Sequence, residues 1–266
     1  MLELMKIFAI KNGLFPLLFF MGIIAFIYIG FLVGRFRLKI KINNERPVIN
    51  NDFVTAIFGF AALLIAFSFS IAASHFGDRQ AATFKEVSTI SAAYEAATLL
   101  NAPDSLKLQN SILDYLDSRI TFYDGLESVK ILNDRINQQK NRLTKIKFQT
   151  IEALANAPLR TRQLVSASVF SSVEKMNESF EAQAMLMKIH PPRLIMQSLA
   201  ILIAIVSFLS GYSMAIKKEH DWVLASLFAL IMMGTIYVIL HLEYPNIGSL
   251  HLDDSRIQFN ELRNLL

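Results

Sequence analysis

The sequence predicts an all-α membrane protein: four transmembrane helices, with a helical extramembrane bundle between the second and third. Three observations carry that prediction. Four apolar runs, Leu14 to Val33, Phe53 to Phe76, Leu194 to Ile216 and Trp222 to Leu242, each hold about 20 residues or more. At roughly 1.5 Å per helical residue, that length crosses a hydrocarbon core of about 30 Å. Hydrophobic residues make up 53% of the 266, with 21 phenylalanines among them, more than a small soluble core accommodates. The stretch 77–193 is by contrast rich in Lys, Arg, Glu, Asp, Gln and Asn, so it faces water. The chain therefore divides into a first transmembrane pair with its link (1–76), a helical extramembrane region (77–193), a second transmembrane hairpin (194–242) and a C-terminal tail (243–266).

The first run follows Lys6 and Lys11, as in a signal peptide, but it is too long for one. Gly30 and Gly34 lead into Arg35, Phe36 and Arg37 with no small-x-small cleavage site, so the segment is expected to stay as a span. A short basic link, Gly34 to Asp52, joins it to the second run.

The second run has two distinct faces on a helical wheel. Phe60, Leu64, Phe67, Ile71 and Ser74 share one, at successive steps of four, three, four and three. Gly59, Ala62, Ala66, Ser70, Ala73 and Gly77 share another, about a third of a turn away. Small residues let helix backbones approach closely in lipid, which marks the second set for helix packing. The bulky set either fills a neighbour's groove or forms a hydrophobic constriction that gates by dewetting. Just beyond the run, Arg79 and Glu86 are seven positions apart, too far for a pair within one helix. In a ring of subunits they would be pore-mouth charges; on a lone chain they would be a solvated helix face.

In the middle region, hydrophobics recur at helical intervals: Ile90, Ala93, Ala97 and Leu100; Leu106, Leu113, Leu116 and Ile120; Leu126, Val129 and Ile136. Pro103, after Asn101, fits the first turn of a new helix. Pro158 divides two more, and Pro191 with Pro192 interrupts the chain before the third run. The result is a bundle of antiparallel helices. The third and fourth runs are joined by Lys217, Lys218, Glu219, His220 and Asp221 alone, a tight turn, and Trp222 suits the membrane interface.

Arg35, Arg37, Lys39, Lys41, Arg46, Lys217 and Lys218 crowd the two short links. The positive-inside rule then puts the links in the cytoplasm, and both termini with the helical region on the periplasmic side.

Composition also excludes several functions. The formal charge of +4 comes from intermixed signs, without the basic stripe a nucleic-acid surface needs. Cysteine is absent, which removes disulfides, thiolate metal sites and thiol nucleophiles. There is no HExxH, glycine-rich phosphate cradle or nucleophile elbow. The histidines, His75, His190, His220, His241 and His251, are scattered, and Asp253 with Asp254 lacks the alternating ligands of a calcium loop. No metal, no cofactor and no enzymatic activity are expected.

The stretch Phe76-Gly-Asp-Arg79, then Glu86-Val-Ser-Thr-Ile90 and Ala93-Tyr94, resembles the post-span motif of the bestrophin-like domain family. Gly211-Tyr212 is similar to its third-span ending, and Glu243-Tyr-Pro245-Asn-Ile-Gly248 to its acidic-x-Pro-x-x-Gly signature. The resemblance runs from Phe53 to Leu266. It departs at His241, where the family usually has an acidic residue, and at Ser88, where asparagine is frequent.

The family is remotely similar to bestrophins, which are pentameric ion channels with four spans per subunit and a pore lined by the second. The resemblance thus implies a homo-oligomer, a pentamer by analogy, that passes ions across a bacterial inner membrane. Bestrophins keep their helical region in the cytoplasm, opposite to the side given by the basic links. The charge-based side is retained because it derives from this chain. The alternative expectation is a membrane-anchored helical sensor or scaffold that binds a protein partner.

Overall fold

The computed structural model of the chain describes residues 14–39, 49–124, 129–188, 193–243 and 254–266, and all its regular elements are helices. In chain order they are α1 (Leu14–Lys39), α2 (Asn51–Ala97), α3 (Ala102–Ile120), α4 (Val129–Asn156), α5 (Leu159–Leu186), α6 (Arg193–Lys217), α7 (Trp222–Glu243) and α8 (Asp254–Leu265). Four of them, α1, α2, α6 and α7, are long and apolar enough to cross a membrane. At 47 residues, α2 has more than twice the length that crossing requires. The chain forms two compact units, and α2 contributes to both. Unit 1 holds α1, the beginning of α2, α6 and α7; unit 2 holds α2 from His75 onward, α3, α4, α5 and α8.

Unit 1 is organised around the contact of α1 with α6, which run parallel. Gly30 and Gly34, a GxxxG pair on α1, lie against the part of α6 that carries Gly211 and Ala215, small residues at the same spacing. A Cβ added at Gly30 would overlap the Phe208 carbonyl, and one at Gly211 the Ile27 carbonyl. At Gly34 it would come 2.7 Å from the Ala215 Cβ. Glycine is required here because backbone lies against backbone. Ser207 of α6 is buried with its hydroxyl donating to the Ile203 carbonyl (2.7 Å), so it adds no unsatisfied group to an apolar setting. Ile23, Ile27, Leu199, Ile203, Ala225, Ala229, Ile236 and Ile239 complete the core.

At the end of α6 the Lys218 N–H donates to the Ala215 carbonyl (3.2 Å) and the Glu219 N–H to the Met214 carbonyl (3.1 Å), a Schellman closure. Lys218 holds the left-handed position of this motif, with φ 56°. Glycine usually fills that position, because a side chain there costs roughly 1–2 kcal/mol. Asp221 then starts α7 by accepting the Leu224 N–H (3.0 Å).

Unit 2 buries Ile90, Ala93 and Ala97 of α2 with Leu108, Ile112, Tyr115 and Leu116 of α3. Ile136, Leu143 and Ile146 of α4, and Val169, Val173, Met176 and Phe180 of α5, join the same core. Contacts Lys107–Glu152 (2.9 Å) and Ser118–Gln139 (2.8 Å) align α3 antiparallel to α4. Contacts Lys147–Glu174 (2.5 Å) and Lys140–Glu181 (3.7 Å) do the same for α4 and α5. Pro103 lies in the first turn of α3, and Pro158 immediately precedes α5.

The buried stripe of α3 differs from the sequence expectation: Leu106 is exposed, and the inward set is Leu108, Ile112, Tyr115, Leu116 and Arg119. The apolar periodicity missed it because a tyrosine and an arginine hold two of its positions. The short helix α8 lies on α3, with Phe259 and Leu262 buried, Arg263 paired to Asp117 (2.7 Å) and Arg256 to Asp124 (3.3 Å). Leu126, His190, Pro191, Pro192, Pro245, Gly248, His251, Asp253 and the link residues Lys41 and Arg46 lie outside the described residues.

Candidate functional site

In unit 1 the second span presents three faces. Ala61, Ile65 and Ala72, spaced at four and seven, are buried, and the Phe58 ring lies 6.1 Å from that of Phe228 on α7. The bulky face points elsewhere: Phe60 and Phe67 are 57% and 56% exposed, Ile71 and Ser74 are also exposed, and Leu64 is half-buried. Gly59, Ala62, Ala66, Ser70 and Gly77 are exposed as well, and Ala73 is half-buried. Both faces singled out from the sequence are thus open in the single chain, and a third face closes unit 1.

Intramolecular small-residue packing belongs instead to α1 and α6. A Cβ at Gly59 or Gly77 meets nothing within 4 Å, in contrast to Gly30, Gly34 and Gly211.

The charges that follow on α2 are divided by burial. Lys85 is exposed and Arg79 half-buried. Glu86 is inside unit 2 with no exposed surface, neither a solvated helix face nor a charge presented to a mouth. Its carboxylate takes a two-point contact from Arg119 of α3, Nε to Oε1 at 2.7 Å and Nη2 to Oε2 at 2.8 Å. The Tyr115 hydroxyl donates to the same Oε1 at 2.6 Å. Arg119 Nη2 also donates to Gln183 Oε1 of α5, and Gln183 Nε2 donates to the Thr83 hydroxyl (2.7 Å). A second link between α2 and α5 joins the hydroxyls of Thr89 and Ser179 (2.7 Å).

Arg119 itself is fully buried. Its guanidinium carbon lies 4.5 Å from the ring centre of Phe122, 5.1 Å from Phe259, 5.3 Å from Phe180 and 5.9 Å from Tyr123. Among the described residues Nη1 has no hydrogen-bond partner, and the electron-rich ring faces stabilise that side of the cation. Burial lowers the proton affinity of Arg119, but Glu86, with Tyr123 and Tyr115, more than reverses this and holds it above its ordinary value. Burial, then the neighbouring Glu86 charge, pushes the Tyr115 phenol well above the usual tyrosine range.

Such a pair holds its geometry because removing either member leaves the other as an uncompensated charge in the core. One signal for it existed in the sequence. Arg119 falls three residues after Leu116 and seven after Ile112, a charge on the apolar stripe of α3.

At the end of α7, His241 and Glu243 are both buried. The His241 Nδ1–H donates to the Tyr237 carbonyl (2.9 Å), and the two rings lie 4.0 Å apart. Among the described residues no group of three or more potential ligands could hold a metal ion.

The sequence matches the bestrophin-like domain family over residues 21–257. The chain belongs to that family. The match reaches back to Met21, within α1, and closes at Ile257 in α8, so the first span is part of the domain. Among the motif residues that carried the resemblance, Glu86, Ile90 and Ala93 form the inward side of α2 in unit 2. In this chain those three positions of the post-span pattern are buried, one of them as a carboxylate. Neither a curated protein nor a solved structure matches the chain.

Proposed function

We propose that the chain is a subunit of a homo-oligomeric, ion-conducting pore in a bacterial inner membrane, acting by transport rather than catalysis, with the second span lining the path. The observation that carries this reading is the exposure of two of the three faces of α2 within a membrane-crossing segment. Small residues facing lipid forgo the close backbone contact they permit, and a second copy against Gly59, Ala62, Ala66 and Ser70 restores it. Closure of such contacts into a ring turns Phe60, Leu64, Phe67 and Ile71 toward an axis as a hydrophobic constriction, with Ser74 at its end.

Arg79 is the mouth charge in this reading. Glu86 is not, because Arg119 already holds it. Five subunits follow from the family analogy alone, and the periplasmic placement of unit 2 from the basic residues of the short links.

The test is conductance of the purified protein in planar bilayers, together with its oligomeric state in detergent. Phe67→Ala is expected to raise unitary conductance or the open fraction by widening and wetting the constriction. Absence of current from both proteins, or a monomer or closed dimer with no axial opening, overturns the reading.

The sensor or scaffold reading has one observation in its favour. Phe148 and Leu164 of unit 2 are 68% and 77% exposed, apolar surface of the kind a protein partner covers. A dimer that captures a partner through unit 2 would support it.

A further inference from the structure

Because α1 and α6 run parallel, their C-terminal ends finish together. That end of unit 1 carries Arg35, Arg37, Lys39, Lys217 and Lys218, all exposed. The carboxylates of the same segments are Glu219 and Asp221, and Asp221 is engaged in starting α7. Two of the cations are held in place: Arg37 donates to the Tyr212 hydroxyl of α6, and the Arg35 guanidinium lies 5.7 Å from the ring centre of Phe31.

Aromatic side chains pack at the same level. Trp222 lies 5.3 Å from Phe31 and 6.2 Å from Tyr28, and His220 meets Phe31 edge-on at 5.3 Å. Tryptophan and tyrosine favour the headgroup layer of a bilayer.

A solvated basic end, favourable to two helix C-termini, accounts for cations here in general. It does not account for Lys218. That residue occupies the left-handed position of the α6 closure, where glycine is the unstrained choice, and its side chain is exposed. The ammonium group is what a glycine would lack. Backbone strain kept for an exposed side chain points to a ligand for that side chain.

We propose that this end of unit 1 binds the phosphodiester headgroup of an anionic phospholipid. Lys217, Lys218 and Arg37 supply charged donors to the phosphate oxygens, and Trp222 and Tyr28 flank the acyl-chain boundary. The proposal needs unit 1 to span a membrane and does not depend on whether the protein conducts.

The experiment is native mass spectrometry of the full chain in detergent, titrated with phosphatidylglycerol, with phosphatidylcholine and with inorganic phosphate. Wild type is expected to retain phosphatidylglycerol in preference to phosphatidylcholine. Lys218→Gly relaxes the turn and so keeps or raises the melting temperature, yet weakens phosphatidylglycerol by roughly five-fold; Lys217→Ala/Lys218→Gly weakens it by roughly 25-fold. Arg37→Gln, outside the turn, gives a loss of the single-variant size by an independent route, and Lys188→Ala on unit 2 gives none.

Equal retention of the two lipids overturns the proposal. So does undiminished phosphatidylglycerol binding by the double variant. Displacement of bound phosphatidylglycerol by millimolar phosphate also overturns it, by assigning the site to the free anion.

Discussion

Replacing Arg119 by methionine tests whether the charge cluster stabilises unit 2. The substitution keeps an unbranched apolar side chain among Phe122, Phe180 and Phe259 but removes the cation. Among the described residues Glu86 then keeps the Tyr115 hydroxyl as its one side-chain donor, while Gln183 Oε1 loses its Arg119 donor. Breaking a buried pair from one side costs about 3–5 kcal/mol, a large share of the roughly 5–15 kcal/mol that a domain commands. At about 1.36 kcal/mol per decade, amide protection in α3 and α5 should fall by about two to almost four decades.

The assay is hydrogen exchange on the full chain in detergent at neutral pH, where reclosing outpaces exchange. Glu86→Leu/Arg119→Met removes both charges and leaves chiefly the Tyr115 hydroxyl without its acceptor, at about 1–3 kcal/mol. It should therefore be better protected than Arg119→Met alone. A loss below tenfold in the single variant, or a double variant no better than the single, refutes the reasoning.

Gly211→Ala drives a methyl into the Ile27 carbonyl, where no flexible side chain can yield, and should destabilise unit 1 by at least about 2 kcal/mol. Gly22→Ala, in open space on the same bundle, should be neutral or stabilising, and thermal unfolding in detergent compares the two. The raised Tyr115 phenol gives a pH dependence of definite sign. Above the ordinary value of 10.0, the unfolded chain loses this proton while the folded chain keeps it, so stability present below that pH is lost as pH rises beyond it. Tyr115→Phe should lower stability at neutral pH by about 1.5–3 kcal/mol through the lost bond to Glu86, and flatten the alkaline decline, as read by exchange at several pH values.

The apolar runs were legible because each is a local property, about 20 residues of one composition. Leu14 to Val33 became α1, Leu194 to Ile216 became α6 and Trp222 to Leu242 became α7, with α1 extended to Lys39, α6 by Arg193 and Lys217, and α7 by Glu243. The α2 positions Ile90, Ala93 and Ala97 were legible for the same reason, since one face of one helix repeats them. Contacts between distant segments left weaker traces. Glu86 and Arg119 lie on different helices, and nothing about either alone names the other. Gly30 and Gly34 display their spacing openly, but Gly211 and Ala215 become their partner only once α6 is known to lie beside α1. The exposed faces of α2 were legible as patterns, whereas their use depends on neighbours that a single chain does not contain.

The pairing of α1 with α6 also sets an order of events during synthesis. About 180 residues separate Gly30 from Gly211, so at roughly 5–20 residues per second the ribosome needs about ten to forty seconds to deliver the second after the first. For that interval the first helix waits in the bilayer with its notch open, and the water-facing bundle, all but its last helix α8, is made before the notch is filled. Assembly of the membrane part is thus a late step, and a chain truncated before the third span leaves a groove for some other helix to enter.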